Sequence, residues 1–106
     1  MNTYQGSAWS ALGDPTRRAI FERIVDHPQA VVELARGLPV SRPAVSQHLK
    51  VLKEARLIMD RRVQNRRVYE LNPEGLSELR EQLDGFWRKA LSAYQEAVEL
   101  STEEDK

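Results

Sequence analysis

Between residues 41 and 67 the chain carries eight lysines and arginines (Arg42, Lys50, Lys53, Arg56, Arg61, Arg62, Arg66 and Arg67) against two carboxylates, Glu54 and Asp60. The stretch opens with SRPAVSQHLKVL, residues 41–52. Wound as a helix at 100° per residue, it places Pro43, Ser46, Gln47 and Lys50 on one side, flanked by Ala44 and Val51. Val45, Leu49, Leu52 and the stem of Arg56 fall on the other. The first face is small, hydrogen-bonding and basic, unlike a solvated helix surface laced with Glu–Lys pairs. Its chemistry is recognition of a polyanion by charge and by directed hydrogen bonds, not bond making.

The rest of the composition sharpens this reading. A formal net charge of zero hides a strong segregation. Residues 1–40 hold four basic and four acidic groups, residues 41–67 carry +6, and residues 73–106 carry −5. A neutral chain with one basic third can hold a polyanion there while its acidic end faces elsewhere. There is no cysteine, which excludes a disulfide, a thiolate metal site or a thiol switch. Absent too are a Gly-rich phosphate loop, a metal-ligand cluster and a nucleophile paired with a base, so an enzyme is not expected. His48 lies on the shoulder of the buried stripe, far in sequence from His27, and reads as a structural hydrogen-bonding histidine. No apolar run approaches the roughly 18–20 residues needed to cross a bilayer. The N-terminus lacks the basic start and apolar run of a signal peptide, so a cytoplasmic protein with no membrane partner is expected.

The elements that must position the basic face read as follows. A length of 106 residues fits a single domain, 1–106. A short helix over 7–13 carries Trp9 and Leu12. Asp14-Pro15 starts the next, a capping carboxylate followed by proline at the first helical position. That helix buries Ile20, Phe21, Ile24 and Val25 and stops at His27-Pro28. Val31–Arg36 forms a short helix through Val32, Leu34 and Ala35, closed by Gly37 as a left-handed cap. With Ser41 as N-cap of the following helix, residues 31–55 form a helix-turn-helix. After Ala55 the apolar period changes to 2: Leu57–Met59 and Val68–Leu71 are strands. Arg61–Arg67 supplies the hairpin tip, where Asn65 takes the positive φ of a tight turn. A basic hairpin over 57–71 behind a helix-turn-helix is a wing. Asn72-Pro73-Glu74 then starts a last helix over 73–100, with Ser101–Lys106 as a frayed tail. Its apolar positions (Leu76, Leu79, Leu83, Phe86, Trp87, Ala90, Leu91, Tyr94, Ala97 and Val98) outlast what so small a domain needs, and imply a partner helix. The fold class is therefore mainly α: a winged helix-turn-helix with a two-stranded β wing and a long C-terminal helix.

DPTRRAIFERI, then VVELARGLPVSRPAVSQHLKVLKEARLI, then RRVQNRRVYEL together resemble the ArsR/SmtB-type bacterial transcriptional repressors. The likeness spans roughly residues 8–92. Asp-Pro-Thr-Arg, Glu-Leu-Ala and Ser-x-His-Leu-x-x-Leu carry it, in that order and spacing. The resemblance implies a homodimer with interface residues on the first and last helices: Trp9, Leu12, Leu79, Leu83, Phe86, Trp87, Ala90 and Tyr94. It also implies repression at operator DNA, often of the protein's own operon. Three departures stand out. Val32-Glu33-Leu34-Ala35 offers no thiol where many relatives bind metal through Cys-x-Cys. Asp84-Gly85-Phe86 lacks the histidine of another metal site, and no histidine follows His48. Arg56 and Asn65 stand where glycine is frequent, so Arg56 is expected to change the helix exit while Asn65 tolerates the turn.

On this reading the helix over 42–54 enters the major groove. Ser46, Gln47 and Lys50 face base edges, with Ser46 or the helix N-terminus alternatively holding a phosphate, and Arg42 and Pro43 lie near the entry. Glutamine pairs bidentately with adenine, and lysine donates to guanine O6 and N7. Arg61, Arg62, Arg66 and Arg67 place the wing along the backbone, with one arginine able to enter the minor groove. Arg62, Asn65, Arg66 and Arg67 are the contact candidates, two arginines at the tip touching DNA while the others pair to Asp60 or Glu70. Arg17 and Arg18 fit either a phosphate or an internal ion pair. Trp9, Trp87 and Tyr94 pack core and interface instead of an effector pocket. The expected partners are a double-stranded operator and a second copy of the chain, with no cofactor and no metal; nothing in the sequence points to an effector. The rival readings are a winged-helix module that recruits an acidic protein, and a repressor that responds to a metal through carboxylates and histidine.

Overall fold

The computed structural model describes residues 8–104, with side chains through Thr102. The start of the first helix at Ser7 lies outside the described residues. Contacts divide the chain into two compact units, one ending at Leu76 and one starting at Ser77.

In the first unit, α1 (Ala8–Ala11) buries Ala8 and Ala11 and leaves Trp9 about half exposed. Asp14 then caps α2 (Pro15–Asp26), its carboxylate accepting the Arg17 N–H at 2.8 Å, with proline at the first position as expected. Ile20 and Ile24 are buried, Phe21 is partly so, and Val25 is exposed, contrary to the expectation for it. The inward face of α2 is narrower than the run of apolar residues implied. The residues after His27 form an element that the sequence did not indicate: β1 (Gln29–Ala30), paired antiparallel with the wing.

α3 (Val31–Arg36) follows at once and buries Leu34. Gly37 closes it with φ −102° and ψ 9°, not in the left-handed region. The glycine instead leaves room for a neighbour: a Cβ there would stand 2.5 Å from a guanidinium nitrogen of Arg23, which would have to shift. That guanidinium donates to the Leu34 carbonyl at 3.1 Å and the Glu33 carbonyl at 3.0 Å. Arg23 of α2 thus satisfies carbonyls at the end of α3 that its own short helix leaves open. The buried Gln29 amide completes the knot by donating to the Arg23 carbonyl at 2.6 Å.

α4 (Arg42–Glu54) is capped by Ser41, whose hydroxyl accepts the Ala44 N–H at 3.3 Å. Val45, Leu49 and Leu52 are fully buried. Burying each such side chain contributes roughly 1.5–3 kcal/mol, and this stripe fixes the rotation of the helix about its own axis. The stem of Arg56 is not part of it. The helix ends at Glu54, and Arg56 leaves it with φ 64°, the left-handed conformation usually left to glycine. The exit is therefore reached with an arginine in the strained position.

β2 (Ile58–Val63) and β3 (Arg66–Leu71) form the wing, and β1 joins its other edge, giving a three-stranded antiparallel sheet of order β1-β3-β2. The hairpin tip is shorter than expected. Val63 pairs with Arg66, so only Gln64 and Asn65 turn, and Arg61, Arg62, Arg66 and Arg67 lie within the strands. Gln64, not Asn65, takes the positive φ, at 58°. In a two-residue loop a positive φ at the first position alone is the II′ pattern.

α5 runs from Pro73 to Glu104, 32 residues, so residues 101–104 are helical where a frayed tail over 101–106 was expected; Asp105 and Lys106 lie outside the described residues. Its first turn belongs to the first unit. There Gly75 is buried, packed so closely on the Arg56 carbonyl that a Cβ would lie 1.5 Å from the oxygen. In the second unit Leu83, Phe86, Trp87, Leu91, Tyr94 and Val98 are exposed along one side of the helix. Among the described residues no helix is long and apolar enough to cross a membrane.

Candidate nucleic-acid interface

The buried stripe of α4 turns the opposite face outward. Arg42, Pro43, Ser46, Gln47 and Lys50 are all exposed. So are Arg62, Asn65, Arg66 and Arg67 on the wing. The two sets are linked: Lys53 of α4 reaches Asp60 of β2 at 2.7 Å.

Strand register decides which wing cations are free. Side chains directly opposite share a face of a sheet, so Ile58 and Leu71, Asp60 and Tyr69, and Arg62 and Arg67 line one side. Asp60, its side chain only 5% exposed, bonds Arg67 diagonally and Lys53 from the helix. On the other face Arg61 pairs diagonally with Glu70. Arg66 reaches back to Glu33 of α3 at 2.9 Å, and Arg56 meets Glu74 at 3.3 Å. Among the described residues of the basic stretch, Arg42, Lys50 and Arg62 have no carboxylate partner. Arg62 stands directly opposite Arg67, an arrangement that costs stability unless an anion is shared.

The two other cations at the start of α2 divide. Arg17 is committed internally, its guanidinium donating to the Ala11 carbonyl at 2.7 Å and to His48 Nδ1 at 3.4 Å, whereas Arg18 is exposed. Since arginine only donates, Nδ1 accepts in this contact, and the Asp14 carboxylate stands 3.9 Å from the same nitrogen. Through Arg17, His48 thus ties α4 to α2 and the end of α1. Among the described residues no group of three or more His, Asp or Glu side chains could hold a metal ion.

Two carboxylates feel these contacts. The hydrogen bond from Lys53, then that from Arg67, holds the Asp60 carboxyl below its ordinary value despite the opposing effect of burial. The Ala30 N–H, then Arg66, does the same for Glu33. A carboxyl lowered in the folded state contributes stability that is fully present above its unfolded value, about 3.9 for Asp. That stability is lost as pH falls through the folded value. Asp60→Asn should therefore lower stability at neutral pH by about 1–3 kcal/mol, the loss of charge-assisted hydrogen bonds. It should also make the loss of stability below about pH 4 shallower than in the parent, as read by urea melts across pH.

A shallow groove of about 260 Å³ lies between α3, the start of α4 and the wing. Ala30, Val31 and Val32 line it together with Arg42, Arg66 and Arg67. Sequence reasoning missed this feature, because β1 is what brings the start of α3 against the wing.

A helix whose polar face is free, set beside a basic hairpin on a three-stranded sheet, defines a winged helix-turn-helix. The family model described as a helix-turn-helix domain matches residues 12–61. Over 101 residues the chain is 59% identical to the HTH-type transcriptional regulator Rv2034 of Mycobacterium tuberculosis, covering 93% of this chain and 94% of that protein. It is 33% identical over 66 residues to the transcriptional repressor SdpR of Bacillus subtilis, covering 62% of this chain and 73% of that one. Among solved structures it matches an ArsR-like transcriptional regulator from Rhodococcus sp. RHA1 with a TM-score of 0.67 at 29% identity, covering 91% of this chain and 95% of that chain. The chain belongs to the ArsR/SmtB-type winged helix-turn-helix transcriptional regulators. Its relatives are regulators, not enzymes.

Proposed function

We propose that the protein is a homodimeric repressor in the cytoplasm that binds operator DNA of its own or a neighbouring operon. α4 lies in the major groove, with Ser46, Gln47 and Lys50 at base edges and Arg42 and Pro43 at the entry. Arg62, Asn65, Arg66 and Arg67 follow the backbone. The observation that carries this reading is the placement of the unpartnered cations of the basic stretch. Arg42 and Lys50 lie on α4 and Arg62 on the wing, with no internal carboxylate to occupy them. Homodimerisation is supported by the exposed apolar side of α5, with Trp9 and Leu12 of α1 as further contacts. Repression is supported by the similarity to SdpR, itself a repressor.

Titration of duplex DNA over a range of salt concentrations tests this. Binding should weaken linearly on logarithmic axes as cations are released from the phosphates. Arg62→Ala should weaken binding to every sequence alike and reduce the slope by about 0.9 per protomer. Affinity for an acidic protein without any for a duplex would refute the proposal.

A further inference from the structure

Glu33, in the first turn of α3, serves two donors through one oxygen. Its Oε1 accepts the Ala30 N–H at 2.8 Å and stands 2.9 Å from Arg66 Nη2. The first contact closes the start of α3. The second crosses from the helix-turn-helix to the wing and holds a cation that borders the groove beside Arg42.

The two paired arginines at the end of the wing are held very differently. Arg67 is bonded to Asp60, whose side chain is 5% exposed and shared with Lys53. Withdrawing Arg67 would strand part of a buried charge, which is costly. Arg66 and Glu33 are 52% and 40% exposed. An exposed one-to-one pair contributes little to stability and exchanges readily. A phosphodiester offers the same guanidinium a charge-assisted and potentially bidentate bond. The groove next to it offers aliphatic lining in Ala30, Val31 and Val32 for a sugar and, in Arg42, a second cation without a carboxylate partner among the described residues.

Resting on the duplex-binding reading above, we propose that Glu33 is a built-in competitor of the DNA backbone. A phosphodiester entering the groove beside Arg42 takes Arg66 from the Glu33 carboxylate, and the cost of that exchange restrains affinity. Glu33 sets how tightly the protein holds DNA without itself touching it.

Glu33→Gln isolates the effect, because glutamine still accepts the Ala30 N–H and preserves the start of α3. Binding of the variant to a 30-base-pair duplex should be tighter by about fivefold per protomer at 0.15 M salt, with a salt slope steeper by about 0.9 per protomer. In an Arg66→Ala background the same substitution should change neither quantity. That second arm matters, since removal of a merely repelling carboxylate would act with or without Arg66. In the parent protein, Arg66→Ala should cost less affinity than Arg62→Ala, because Glu33 already offsets Arg66; this comparison stands even if Glu33→Gln folds poorly. Weaker or unchanged binding by Glu33→Gln, an equal gain without Arg66, or a larger loss from Arg66→Ala than from Arg62→Ala would overturn the proposal. A parent protein with no salt-dependent affinity for a duplex would overturn both this inference and the reading beneath it.

Discussion

Replacing Leu83 and Trp87 of α5 together by glutamate should give monomers and lower operator affinity by about two orders of magnitude or more. Leu83, Phe86, Trp87, Leu91, Tyr94 and Val98 leave 40–70% of their surfaces open in the single chain. At 100° per residue they fall within one broad stripe, the pattern of a helix that meets another helix. Each large apolar side chain covered there contributes roughly 1.5–3 kcal/mol, and a carboxylate in its place must lose its water without a partner. The DNA consequence follows from linkage. Two heads tied together bind as one unit, and the second contact costs far less than the first. Separated heads lose that advantage while each keeps its own salt-dependent grip. Sedimentation and duplex titration of parent and variant read both effects. A parent protein that sediments as a monomer at micromolar concentration would show that the stripe serves something else.

Gly75→Ala should destabilise the fold by about 3 kcal/mol or more, since the new atom has nowhere to go. A Cβ at this position lies 1.5 Å from the Arg56 carbonyl oxygen and 2.5 Å from its carbon. Both partners are backbone, so no side chain can swing aside. Arg56 is itself held at φ 64° between Ala55 and the buried Leu57, which leaves the carbonyl little freedom to retreat. Relief requires the start of α5 to move away from the exit of α4. Against a typical domain stability of about 5–15 kcal/mol the loss is large, and urea melts of parent and variant measure it. Near-parental stability would mean that the two segments are looser than this packing.

What could be read from the sequence, and what could not, divides along the range of the interactions. The helix-turn-helix was legible because its signals are local. Asp14-Pro15 and Ser41 cap their helices within three residues, and Val45, Leu49 and Leu52 repeat on one side of a turn. β1 was not legible, because two residues carry no period and Gln29 and Ala30 become a strand only by meeting Tyr69 and Val68. Gly37 looked like a left-handed cap because its neighbour Arg23 comes from another helix. The hairpin was placed in the right stretch, but its tip was drawn over Arg61–Arg67 where only Gln64 and Asn65 turn, and which of the two takes positive φ depends on register. The arginines show the same limit at the candidate site. Counting charges located the basic stretch, yet only the diagonal pairs of Arg61 and Arg67 across the hairpin, and the pair of Arg66 with Glu33 of α3, separate Arg62 from its neighbours.

The central claim is that α4 reads bases while the wing holds the backbone. Selection from a library of duplexes, with the parent protein and with Gln47→Ala, tests it most directly. Two-fold-related heads should select half-sites about 34–36 Å apart, or a multiple of that. Gln47→Ala should cost on the order of 1–3 kcal/mol on the best site and relax preference at one position in each half-site. If Gln47→Ala leaves base preference unchanged and Arg62→Ala alters it instead, the wing is the sequence reader and the account is contradicted.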